Sequence, residues 1–141
     1  MISDLRSYIK SQVKAVDPDL IENNSAFYLS DIGETLIDRS YQIEINNVVN
    51  ELRDSHREYV ADIVISIFGY GYQDEIARYD DLLDKAICIM DNVIELQNFS
   101  KQFNIIDIQA NNISSEQLSG DDNGFKIDIN LQLRIAYIRE D

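Results

Sequence analysis

The chain has 141 residues, 45% of them hydrophobic and 27% charged, a globular composition that fits one domain with a real core. Twelve basic residues stand against twenty-six acidic ones, for a formal charge of -14. Such a surface repels phosphate, which argues against tight nucleic-acid binding and against docking on an anionic membrane, but not against a protein that lets DNA pass without holding it.

Residues 1–6 show no basic region followed by an apolar run, so no signal peptide is expected. No run of about 18 apolar residues exists to span a bilayer. The first segment, residues 2–16, places Ile2, Leu5, Ile9, Val13 and Val16 at helical spacing, with Ser3 or Asp4 as a cap. Asp17-Pro18 ends it, because a residue before proline avoids the α region. Residues 19–39 hold no period for long. Asn23-Asn24-Ser25 and Gly33 mark turns, and the segment reads as a loop with one short strand or helical turn, long enough to wrap the core or reach a neighbouring subunit.

Tyr41, Ile43 and Ile45 alternate with Gln42, Glu44 and Asn46, the pattern of a half-buried strand. Residues 50–58 form a charged connection. Residues 59–68 are apolar on both parities, which predicts a central strand covered on one side and partly on the other. Gly69-Tyr70-Gly71-Tyr72 breaks that pattern, and Asp74 opens a second helix. Ile76, Tyr79, Leu83, Ala86, Ile87, Met90, Val93, Ile94 and Gln97 follow its apolar spacing, with Asp80, Asp81, Asp84, Asp91 and Glu95 mostly opposite. The single Cys88 lies inside this pattern and reads as a small buried hydrophobe that forms no internal disulfide. Residues 99–104 turn the chain, Ile105, Ile106 and Ile108 begin a strand, and residues 111–124 read as a polar loop ending in the tight-turn pair Asn123-Gly124.

The last stretch, residues 125–138, carries the clearest pattern. Phe125, Ile127, Ile129, Leu131, Leu133, Ile135 and Tyr137 fall on one parity; Lys126, Asp128, Asn130, Gln132 and Arg134 fall on the other. Alternating side chains on a strand point to opposite faces, so this is a long strand with one dry face that demands a partner layer. The expected fold class is α+β: an antiparallel or mixed sheet of about four strands, in the order α-ββ-α-ββ, with both helices on one face.

No chemistry-bearing motif emerges. His56, the only histidine, sits in a charged loop with no nucleophile elbow in sight, so a solvated loop residue is the simpler reading. One His and one Cys in different elements cannot build a zinc set. Asp121-Asp122-Asn123-Gly124 lacks the alternating ligands and terminal glutamate of a calcium loop, and reads as a hairpin tip. Gly69-x-Gly71 lacks the third glycine and the Lys-Ser/Thr pair of phosphate loops. Asp80, Asp81, Asp84 and Asp91 read as a solvated helix stripe, not catalytic carboxylates. The Asn-x-Ser triplets at Asn23, Asn98 and Asn112 mean little without a secretory signal. Catalytic, cofactor and metal residues are therefore assigned to none of the positions.

Three stretches carry a resemblance: Asp38-Arg39-Ser40-Tyr41-Gln42-Ile43-Glu44-Ile45, then residues 62–71 leading into residues 76–86, and residues 124–137. Together they resemble the tail terminator (tail completion) proteins of long-tailed bacteriophages. The resemblance implies a non-enzymatic virion protein, located in the tail or neck and assembled in the host cytoplasm. It implies a homo-oligomeric ring, a hexamer in that family, that caps the tail tube and meets the head-tail connector while DNA passes through an acidic lumen. Residues 19–39, 50–58 and 111–124 would be the contact regions. A head-tail connector has a similar layout. A small acidic inhibitor or immunity-type module for a basic nuclease is the alternative from another class, since strong negative charge steers toward such a target.

Overall fold

The computed structural model describes residues 2–23, 38–52, 57–71, 76–95, 103–117 and 124–137. Helix α1, Ile2–Val16, buries Leu5, Ile9 and Val13, one residue per turn. Asp4 in its first turn and Lys14 in its last suit the helix dipole. The Asp17 N–H still donates to Val13 O at 3.0 Å, and Pro18 then ends the helix. Helix α2, Ile76–Ile94, buries Leu82, Ala86, Ile89 and Val93.

The strands are β1 (Ile21–Glu22), β2 (Ser40–Leu52), β3 (Arg57–Tyr70), β4 (Phe103–Gln117) and β5 (Gly124–Tyr137). They form one sheet in the order β1-β2-β3-β5-β4. All pairings are antiparallel except β1 with β2, so the sheet is mixed. The fold is α+β as expected, but with five strands instead of about four. The fifth is the two-residue β1, which falls in residues 19–39, the stretch expected to hold one short strand or helical turn, and is too short to leave a periodic signal of its own.

The two central strands, β3 and β5, run in unbroken register from Arg57↔Tyr137 to Tyr70↔Gly124. Their dry parity, Ile63, Ile65 and Ile67 on β3 and Phe125, Ile127, Ile129, Leu131, Leu133 and Ile135 on β5, is buried together with Leu5, Ile9, Leu82 and Ile89 of the helices. Both helices therefore cover the same face. Each such side chain contributes roughly 1.5–3 kcal/mol of burial, so this shared layer is the main source of stability. β3 is also partly covered on its other parity, as its double apolar pattern implies: Ser66 and Phe68 are buried.

Four sequence expectations change. β2 continues to Leu52, past the alternating residues into the charged connection, because Val49, Asn50, Glu51 and Leu52 pair with β3 beyond a bulge between Asn46 and Val49. Asn47 adopts φ 50 at that bulge, a conformation asparagine tolerates. β3 continues through Gly69 and Tyr70; the break comes at Gly71, with φ 105. Residues 111–117, expected as loop, belong to β4; these mostly polar and exposed residues are held in the sheet by backbone pairing with β5. Cys88 is exposed, not buried, because it lies off the stripe formed by Leu82, Ala86, Ile89 and Val93.

Candidate functional site

His56, Asp121, Asp122 and Asn123 lie outside the described residues, as do most of residues 19–39. Asp80, Asp81, Asp84 and Asp91 are exposed on α2. Gly69 faces the core: a Cβ there would sit 2.7 Å from Phe125 Cζ and 2.8 Å from Leu82 Cδ1, so the glycine serves close packing. Among the described residues no three His, Cys, Asp or Glu side chains are placed to hold a metal ion. No helix among them is long and apolar enough to cross a membrane.

What the fold brings together instead is a charge cluster at the C-terminal end of α1. Asp17, just past the helix, keeps its carboxylate 5% exposed and accepts from Lys85 Nζ and Arg39 Nη2, each at 2.8 Å. Its Oδ1 also accepts the Asp19 N–H at 3.0 Å. Lys85 and Arg39 reach on to Asp81 at 3.2 and 3.5 Å. Burial alone would raise the Asp17 carboxyl; the hydrogen bonds from Lys85 and Asp19 and the charges of Lys85 and Arg39 outweigh it and hold the group below its ordinary range. The hydrogen bond to Asp17 raises Lys85, against the opposing effect of burial. The cluster ties α1, α2 and the start of β2 together. Nearby, Asp38 accepts from the Tyr70 N–H at 3.0 Å and from Arg78. Sequence reasoning missed both clusters, since their members come from separate segments; the only local hint was Asp81 and Lys85 at i,i+4.

The face turned away from the helices is polar and cross-linked. Ser66 Oγ donates to Asp128 at 2.6 Å, Gln132 Nε2 and Asn47 Nδ2 donate to Asp62 at 3.3 and 3.1 Å, and Arg134 meets Glu58 at 3.2 Å. Lys126 lies 3.3 Å from Asp128 and 3.7 Å from Glu116.

The sheet has two edges. On β2, the described groups that take up the outer backbone lie at its start: Arg39 O and Tyr41 O accept from Ile21 N and Asn23 N, and Ile43 O accepts from Arg6 Nη1. On β4, the last strand in the order, no described strand pairs with the outer side. Exposed large hydrophobics gather near both edges: Val48 and Val49 on β2, and Ile76, Ile87 and Ile94 on α2. These surfaces fit contact with other chains better than chemistry on a small molecule.

No family model matches the sequence, and no curated protein matches it. Among solved structures, a chain described as "Virion of native gene transfer agent (GTA) particle" has a similar fold, with a TM-score of 0.57 over 91% of this chain and 91% of that one, at 11% sequence identity.

Proposed function

We propose that this chain is a structural protein of a phage-type virion and acts as a ring-forming tail terminator. The observation that carries the reading is the fold shared, over nine-tenths of both chains, with a chain from the virion of a gene transfer agent particle. The resemblance of residues 38–45, 62–71 and 124–137 to tail terminators supports the finer assignment. So does the acidic surface, which suits a passage for DNA that must not bind.

The mechanism is capping. A ring seated on the last ring of the tail tube covers the surfaces on which another tube ring would build, and offers its other side to the head connector. Subunits repeat the same contacts around the ring, as closed symmetry requires. The hexameric number belongs to the resembled family and is part of the proposal.

The test is to polymerise tail tubes from the same phage-type particle with and without the purified chain. Density capping one end of each tube, together with arrested growth, is the expected result by electron microscopy. Tubes that grow unchanged and stay bare overturn it. Binding to the isolated head connector but never to tubes reassigns the chain to a connector role. Capture by a basic nuclease, with a stable 1:1 complex, points to the acidic inhibitor reading.

A further inference from the structure

Two helices roof a five-stranded sheet, and they do not reach its far edge evenly. α1 lies beside β2, where Arg6 binds Ile43 O. α2 lies over β3 and β5 and touches β4 through Tyr79, whose hydroxyl meets Ser115 at 2.5 Å and whose ring packs edge-on against Phe125. At about 100° per residue, Ile76, Leu83, Ile87, Met90 and Ile94 form a second stripe on α2, about 110° round from the buried one and on the Tyr79 side. Ile76, Ile87 and Ile94 on it are 60%, 43% and 38% exposed. Beyond the stripe stand Asp80, Asp84 and Asp91, exposed and without an ion pair among the described residues. The β4 side thus presents an apolar strip with an acidic border.

The opposite side of the molecule presents the complement. Lys10 pairs with Glu22 of β1 at 2.9 Å, so this flank of α1 faces the β2 edge. Lys14, one turn on, is exposed and has no ion pair among the described residues. Past Ile43 the β2 edge is uncapped by any described group. Residues 45–50 there carry no charge, and Val48 and Val49 are 45% and 54% exposed. On β4, residues 108–115 likewise carry no charge and no proline. In a chain that is 27% charged, the two edge stretches whose outer side no described strand pairs are where charge is missing. A sheet that stands alone protects its edges the other way, with charges and proline.

We propose that copies of this chain join head to tail, the β4–α2 side of one against the β2–α1 side of the next. Sheet and helix layer then continue from copy to copy. β2 and β5 run the same way and β4 runs opposite, so the new strand pair is antiparallel like its neighbours. Bulges at Asn46/Val49 on β2 and at Ile105/Asp107 and Ala110/Asn112 on β4 limit the ladder to short runs. The side chains supply the rest: Val48 against the Ile87–Ile94 stripe, and Lys14 toward Asp84 and Asp91; Val49, in register with Val60, lies on the other face of the edge. A second copy is the occupant because the apolar strip with its acidic border and the basic flank with its apolar edge lie on opposite sides of one molecule. Such a contact repeats without using itself up, and builds rings or filaments.

The inference deepens the ring-forming reading, and its test uses no tail tube, so the two fail separately. Sedimentation velocity of the full chain is expected to show species larger than one copy that grow with concentration. I87E/I94E blocks one side and V48K/V49K the other; each variant alone is expected to sediment as a monomer with an unchanged far-UV circular dichroism spectrum. Mixed in equal amounts, they retain one intact contact and stop at the dimer. K14E weakens association at least about tenfold, and K14E/D84K restores it; this pair decides the matter if the apolar variants fail to fold. A wild-type chain that stays monomeric at every concentration overturns the proposal, as does either blocked variant assembling like wild type, or a mixture that holds only monomers. Tube capping by a chain that is monomeric in solution would leave the terminator reading standing without this interface.

Discussion

The Asp17 carboxylate and the Lys85 ammonium meet at 2.8 Å across the gap between α1 and α2, with Asp17 almost fully enclosed and Lys85 about a quarter exposed. Removing one member of such a pair leaves the other uncompensated, which costs more than the net worth of the pair. Asp17→Ala is expected to lose about 1–3 kcal/mol of stability, less than a fully buried pair because water still reaches Lys85. Lys85→Met is expected to lose less, since its aliphatic stem remains. Urea unfolding of the two single variants and the double variant should give a coupling of about 1–2 kcal/mol. Strict additivity would show that the contact contributes nothing.

The same cluster sets a pH dependence. Asp17 is held below its ordinary range, so its contribution is present above the unfolded carboxyl value of about 3.9 and is lost as the pH falls through the folded one. Lys85 is raised, so its contribution is present below the unfolded lysine value of about 10.4 and is lost as the pH rises through the folded one. The stability difference between wild type and Asp17→Asn should therefore stay level from about pH 9 to about pH 5 and shrink below that. Taking the difference cancels the relief of general acidic repulsion, which both proteins share. A difference that persists unchanged at pH 3 would rule out the ionised Asp17 as its source.

Gly69 offers a packing test. An added methyl group would press on Phe125 and Leu82. Gly69→Ala is expected to cost about 1–3 kcal/mol, read as a fall in Tm. In the Gly69→Ala/Leu82→Ala double variant the added methyl fills part of the space that leucine leaves. The combined loss should then be smaller than the two single losses added together.

Tyr41 predicts the opposite sign. Its side chain is fully buried, and its hydroxyl has no hydrogen-bond partner among the described residues. Burial raises its pKa, with the charge of Glu22 adding to the effect. A buried hydroxyl without a partner is destabilising. Tyr41→Phe should therefore be neutral, or more stable by up to about 1 kcal/mol, in the urea midpoint. A loss of more than that would reveal a bond to the hydroxyl.

What could be read from the sequence follows the range of the forces involved. α1 was legible to its last residue, because one apolar side chain per turn and Asp17-Pro18 are local signals. β5 was legible from strict alternation. Of β4, the start at Ile105, Ile106 and Ile108 was legible and the second half was not: Asn111, Asn112, Ser114 and Ser115 look like loop residues, and they are strand only because β5 pairs with them from outside the segment. Cys88 misled because a broad apolar pattern on α2 mixes two stripes, one against the core and one toward β4. The parallel β1 and the Asp17 cluster depend on which segments meet, which periodicity does not encode. The proposed contact surfaces share that limit: Val48, Val49, Ile87 and Ile94 acquire meaning only once the strand order places them at opposite edges.

The cross-linked polar face has one more consequence. Its described cations, Lys126 and Arg134, are already engaged by Asp128, Glu116 and Glu58. A phosphate chain sliding past such a wall finds, among the described residues, no spare positive charge to grip, but carboxylates, amides and the valines Val60 and Val64. If that face lines a passage, it would behave as a low-friction sleeve, whose smoothness comes from having spent its donors on itself.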